Sequence, residues 1–288
     1  MKKLLLTTIL FTALSCLNAN ASSQVVVDYQ GETFVHQQTM ERSMLINCND
    51  GGRYNIAVRP MDEKLRSIDG KVEIPLQDVY LNNTHEDVYI RYNEYSNLFE
   101  NIVMDGIPHQ FTAKVRDFGM IPAGVYNMNF EIQATDIDEG RIASMSMFTL
   151  QFVVPTIQEI KVQGELPKIT VSTEDVIKKT RKINNESSPI ININSNVDWV
   201  LSVKTDDFDN TKAKHYIRTI GASSSVRERL QERVLLLPYK EIILAKGKAP
   251  SSNQHVAVEF SVENDTDKAI RAGNYKNRVR YILREDRS

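Results

Sequence analysis

Apolar and polar positions alternate along most of this chain. After Gly124, the residues Tyr126, Met128, Phe130 and Ile132 are separated by Asn127, Asn129 and Glu131. After Gly273, Tyr275, Val279, Tyr281 and Leu283 share one face, with Lys276, Arg278 and Arg280 on the other. Phe148, Leu150, Phe152 and Val154 alternate in the same way, within a run from Ser144 to Val154. Successive side chains of a strand point to opposite sides of a sheet, so a period of two predicts strands with one buried face. Asn49-Asp50-Gly51-Gly52, Asn82-Asn83 and Asp105-Gly106 divide the runs with turn residues. Many short strands in a domain of this size predict a β-sandwich. Helix is minor: Ser172 to Ile183, opening on a capping serine, and Ser224 to Arg233, which conflicts with its counterpart in the repeat described next.

The pattern occurs twice. Ile46-Asn47-Cys48-Asn49 returns as Ile193-Asn194-Ser195-Asn196, and Tyr54 to Val58 as Trp199 to Val203. Glu86 to Ile90 is answered by Glu232 to Leu236, and Phe111 by Phe260. Ile121-Pro122-Ala123-Gly124-Val125-Tyr126 is answered by Ile270-Arg271-Ala272-Gly273-Asn274-Tyr275. The matches keep one order and nearly one displacement, which predicts a duplicated domain. The fold expected is all-β: two tandem, related immunoglobulin-like sandwiches over residues 22–155 and 156–288, joined near Pro155 to Gly164. In each Ala-Gly-x-Tyr motif the glycine permits a tight entry turn. The tyrosine buries its ring and can bond back to the preceding loop, as in a tyrosine corner. Gly124 and Tyr126, with Tyr54 and Trp199 on the strand after the Asn-rich turn, are read as structural turn and core residues.

The two copies differ at their ends. In the first, the Gly124–Ile132 strand is followed by the long run to Val154. In the second, the Gly273–Leu283 strand is followed only by Arg284-Glu285-Asp286-Arg287-Ser288. A sandwich without its last strand exposes an apolar groove and unpaired backbone groups. A strand from another chain can fill it, or one from within: Gln24 to Tyr29, or Thr156 to Val162.

The start of the chain bears on compartment. Lys2 and Lys3 precede an apolar run from Leu4 to Leu14, too short to cross a bilayer, and Ala19-Asn20-Ala21 offers a cut before Ser22. Residues 1–21 are therefore read as a secretory signal peptide. Lipoprotein processing at Cys16 is the competing reading, although Ala13-Leu14-Ser15 places its leucine one position too late. Cleavage after Ala21 leaves Cys48 alone, so no internal disulfide is possible. Its match to Ser195 marks a small packed site and not a redox centre. With 35 Lys and Arg against 37 Asp and Glu, the charge gives no reason to expect nucleic acid or anionic lipid as a partner.

A leader, immunoglobulin-like sandwiches, a missing last strand and a late strand opened by Gly-x-Tyr together resemble subunits of chaperone–usher fimbriae, in particular two-domain tip adhesins. The Ala-Gly-x-Tyr strand also resembles the end of spore-coat-U-type domains. The resemblance implies a complete first domain that binds and a second that docks. It implies protein partners, fibre subunits or an assembly chaperone, meeting Gly273, Tyr275, Val279, Tyr281 and Leu283. It also implies a location in the periplasm, on the cell surface or in a fimbria. The charged last residues differ from pilin-type subunits, which usually carry an aromatic next to last. A periplasmic chaperone-like protein, with Phe148 to Val154 as the donated strand, is the alternative, as is a self-contained two-domain binding protein.

Nothing in the sequence points to catalysis or to a cofactor. His36, His85, His109, His215 and His255 are scattered without metal-ligand spacing. No glycine-framed nucleophile and no phosphate loop occurs. Asp136-Ile137-Asp138-Glu139-Gly140 has oxygen ligands at alternate positions, but is far shorter than a calcium loop and reads as an acidic hairpin turn. Asp206-Asp207-Phe208-Asp209-Asn210 is similar. The expectation is a binding or structural protein without an enzymatic role.

Overall fold

A computed structural model describes residues 24–36, 39–47, 51–116, 120–164, 168–178, 182–206, 214–263, 272–275 and 278–287. Residues 1–21 with Cys16, Cys48 and Asp207–Asn210 lie outside them. The first half forms strands β1 (Val26–His36), β2 (Thr39–Asn47), β3 (Arg53–Pro60), β4 (Lys64–Ser67), β5 (Glu73–Pro75), β6 (Val79–Asn82) and β7 (Asp87–Tyr89). It continues with β8 (Ser96–Val103), β9 (His109–Val115), β10 (Gly124–Asp136) and β11 (Arg141–Val154). The second half begins with β12 (Gln158–Gln163), β13 (Ile169–Val171), β14 (Lys182–Asn184), β15 (Ile190–Ser195), β16 (Trp199–Thr205) and β17 (Lys214–Ala222). There follow β18 (Val226–Arg229), β19 (Val234–Leu235), β20 (Glu241–Gly247), β21 (Ser251–Glu263), β22 (Gly273–Tyr275) and β23 (Val279–Glu285).

All pairings are antiparallel, and the protein is an all-β sandwich fold. One sheet of the first half runs β1-β2-β9-β6-β7, and the other β5-β4-β10-β3-β8 with β11 added on β10. The second half runs β12-β15-β21-β17-β19 in one sheet and β18-β20-β16-β23 in the other. The segments matched in sequence fall on corresponding strands: β2 with β15, β3 with β16, β7 with β19, and β9 with β21. Registers correspond too. Tyr54, Ile56 and Val58 face Asp136, Ala134 and Ile132, while Trp199, Leu201 and Val203 face Glu285, Leu283 and Tyr281.

Two apolar cores result. Met44, Ile46 and Phe111 from one sheet meet Ile56, Val58, Phe130 and Phe152 from the other. Phe148 bridges them, stacked on Phe130 at 5.2 Å and edge-on to Phe111 at 6.4 Å. The second core sets Ile191, Ile193, Val256 and Val258 against Trp199, Leu201 and Val203.

Helix is shorter than the sequence pattern predicts. Among the described residues the α-helix covers Thr173–Ile177, where Ser172 accepts from the Asp175 N–H and the Asp175 carboxylate accepts from the Ser172 N–H. The segment 224–233 is not helical. Val226–Arg229 pairs with β20, and sheet pairing outweighs the helix-forming tendency of its Arg and Glu residues. The late strand is interrupted as well, forming β22 and β23 with residues 276–277 outside the description.

Gly124 and Gly273 both sit at φ +155°, where L side chains are strained. A Cβ on Gly124 would meet nothing closer than Tyr126 Cε2 at 3.9 Å, so the requirement is set by the backbone and not by space. Gly124→Ala is expected to cost the first sandwich about 1–3 kcal/mol, read as a lower urea midpoint with an unchanged slope.

At the junction, Asn196 is nearly fully buried. Its amide donates to the Pro155 carbonyl (2.9 Å) and accepts from the Ile157 N–H (2.7 Å). Its backbone N–H donates to Ile157, and its carbonyl accepts from the N–H of Ala123 in the first sandwich (2.9 Å). Asn196→Ala leaves the Pro155 and Ile157 groups without these partners. It is expected to cost about 1–3 kcal/mol and to open residues 155–157 to limited proteolysis.

Candidate functional site

The feature that distinguishes the second sandwich is the outer edge of β23. In the first sandwich, β10 is covered over its whole length by β11, from Gly124 opposite Val154 to Asp136 opposite Arg141. Leu150, Phe152 and Val154 of that strand are buried, and under it Tyr126, Met128, Phe130 and Ile132 are sealed from solvent. In the second sandwich β23 pairs with β16 alone among the described residues. Val279, Tyr281 and Leu283 pack against the core yet stay half-exposed. The same positions are thus sealed in one sandwich and partly open in the other.

The candidates for closing this edge from within are used elsewhere. Val26 to Tyr29 belongs to β1 and pairs with β2 of the first sandwich. Of the segment Thr156–Val162, the residues from Gln158 onward belong to β12, which pairs with β15 on the opposite sheet. There Ile160 packs on the core while Val162 remains 49% exposed. One short strand does act near the gap: β13 pairs with β22, Ile169 opposite Tyr275 and Val171 opposite Gly273. It leaves β23 itself uncovered.

Of the residues singled out in the sequence, Val279, Tyr281 and Leu283 come together on β23. Gly273 opens β22, and the side chain of Tyr275 lies outside the described structure. Burial pushes the Tyr281 phenol above the ordinary tyrosine range, keeping it neutral against the core. Tyr126 is fully buried and donates its hydroxyl to the Pro122 carbonyl at 2.7 Å. Its pKa is pushed up to about 12, first by burial and then by the Asp69 carboxylate. Trp199 is fully buried and donates to Ser251 Oγ at 3.0 Å, and Tyr54 is nearly as buried. Ser195, the match of Cys48, is buried and donates to the Val197 carbonyl at 2.7 Å.

The acidic turn is held by its own chain. Asp136 Oδ1 accepts from the N–H groups of Asp138 (2.8 Å) and Glu139 (2.9 Å), Arg53 pairs with Asp138, and Arg141 pairs with Glu139. Among the described residues, no three His, Cys, Asp or Glu side chains converge as metal ligands do.

No protein-family profile matches the chain, and no curated protein matches it. Solved structures with loose likeness include these three. The CupB6 tip adhesin of Pseudomonas aeruginosa matches at TM-score 0.41 and 7% identity, over 92% of this chain and 95% of that one. A chaperone–tip adhesin complex of CFA/I fimbriae matches at 0.30 and 9%, over 88% and 77%. The C-terminal domain of AspA, an antigen I/II-family protein of Streptococcus pyogenes, matches at 0.22 and 9%, over 92% and 96%. The first is a tip adhesin and the second a complex that contains one. Likeness at this level carries no inference about function.

Asn196 had been visible in the sequence only as a letter of the repeat. Its partners Pro155 and Ile157 lie about forty residues away, and no local pattern connects them.

Proposed function

We propose that this chain is an exported cell-envelope protein of the fimbrial-adhesion type, a tip or minor subunit whose second sandwich is completed by a β-strand from another protein. One observation carries the reading: the uncovered edge of β23 beside half-buried Val279, Tyr281 and Leu283, in the register where the first sandwich holds β11. An open edge presents unpaired N–H and C=O groups, and strand addition satisfies them while covering the apolar side chains. The first sandwich, closed by its own strand, is the unit presented for binding. The chaperone-like alternative is weaker, because Phe148 to Val154 is built into its own core. We assign the chain no catalytic role. Among the described residues no helix is long and apolar enough to cross a membrane.

The test is the stability of the full chain with and without a peptide of the β11 sequence, Arg141–Val154. A saturating strand at one hundred times its Kd is expected to stabilise the second sandwich by about 2.7 kcal/mol. Cooperative monomeric melting that ignores the peptide would mean that β13 already closes the gap sufficiently, and that the protein is a self-contained binding module.

A further inference from the structure

The strand-docking reading leaves the chemistry of the incoming strand open, and β10 with β11 supplies a template for it within the same molecule. Because β3 and β16 hold β10 and β23 in corresponding registers, Phe130, Glu131, Ile132, Gln133, Ala134 and Thr135 correspond to Val279, Arg280, Tyr281, Ile282, Leu283 and Arg284. On the outward face of the first pair, side chains match across the strands. Thr149 donates to Asn129 at 2.8 Å, and Gln151 donates to Asn127 at 3.2 Å.

The outward face of β23 is different. Arg280 and Arg284 stand there either side of Ile282, with Arg278 just before the strand and Lys204 beside Arg280 on β16. Arg280 pairs with Asp206 at 3.0 Å and Arg284 with Glu241 at 3.0 Å, yet their side chains remain 61% and 60% exposed. Arg278 and Lys204 make no ion pair among the described residues, so the four cations meet two carboxylates. The nearby charges Lys246 and Arg227 are already matched, by Glu228 and Asp286. A basic strand laid along this edge would set like charges directly opposite one another, which is unfavourable, whereas an acidic one would set opposite charges there.

We infer that the strand completing the second sandwich is acidic on its outward face, with carboxylates opposite Arg280 and Arg284. Its inward face follows from size. Val279 stands where the first sandwich has Phe130, so the residue opposite it is large. Tyr281 and Leu283 stand where the first has Ile132 and Ala134, and small residues lie opposite them, as Ser146 and Ser144 do on β11. This inference rests on the strand-docking reading.

The probes are three labelled peptides of the Arg141–Val154 sequence, carrying Ile142→Glu with Met147→Glu, the same two positions as Gln, or as Lys. In the first sandwich these positions face Thr135 and Glu131, the counterparts of Arg284 and Arg280. Titrated against the full chain at about 50 mM salt, the acidic peptide is expected to bind roughly tenfold more tightly than the basic one. At about 300 mM salt the difference shrinks through screening. The variant Arg280→Glu with Arg284→Glu is expected to reverse the order, and Arg280→Gln with Arg284→Gln to abolish it. Each variant is accepted only if its melting matches that of the parent chain. Equal binding of all three peptides at low salt overturns the acidic strand and leaves strand docking standing. A charge preference unchanged in the Arg→Glu variant overturns it as well, by placing the effect elsewhere. If none of the three binds, the docking reading itself falls.

Discussion

Trp199→Ala is expected to destabilise the second sandwich by about 3–5 kcal/mol, the range for truncating a buried Trp or Phe. The indole is fully buried, and its N–H donates to Ser251 Oγ at 3.0 Å. It lies so close to the backbone of Gly247 that a Cβ there would fall 2.4 Å from the ring. On that side the wall is main chain, so no side chain there can swing in to fill the volume. Trp199 is also opposite Glu285 at the end of β23, so its loss loosens the support of the candidate docking strand. Urea unfolding followed by circular dichroism reads the effect. The first sandwich, unaltered, is the internal reference, and a cost below about 1 kcal/mol would contradict this account of the core.

Phe152→Ala is the corresponding experiment on the first sandwich. Phe152 is fully buried, opposite Tyr126, on β11, for which β23 has no counterpart among the described residues. Its removal is expected to cost about 3–5 kcal/mol and to give the first sandwich some of the openness of the second. The chain has a single tryptophan, and it sits in the second core, so tryptophan emission follows that half alone. The expected result is a large fall in the transition of the first half with little change in emission midpoint. Equal movement of both would show that the two cores unfold as one unit.

The long strands were legible because a period of two survives over many residues, as in Tyr126 to Ile132 and Phe148 to Val154. Short strands were not. Three residues of β13 or four of β18 contain too few alternations to distinguish them from a loop or a helical turn. The segment around Val226–Arg229 reads as helix because Arg and Glu favour helices, and only its pairing with β20, over fifteen residues away, decides otherwise. The edge of β23 was readable as the alternation of Val279, Tyr281 and Leu283. Which segments fail to close it required the topology, since Val25-Val26-Val27 and Ile160 with Val162 are equally suitable by composition. The basic stripe on β23 was readable as alternate Arg residues, but its imbalance depends on Asp206, just after β16, and on Glu241 of β20.

The junction has a mechanical consequence. If the first sandwich is gripped and the second is anchored, load leaving β11 would first reach the edge strand β12 and tend to peel it from β15. Asn196 diverts that load. Tyr126 holds the Pro122 carbonyl, the adjacent Ala123 N–H holds the Asn196 carbonyl, and the Asn196 amide holds Pro155 and Ile157. Tension therefore also reaches the second sandwich at the turn between β15 and β16, through several hydrogen bonds that share it. The peeling edge is relieved, and the two sandwiches can transmit a pull as a pair of links whose pin is one buried asparagine.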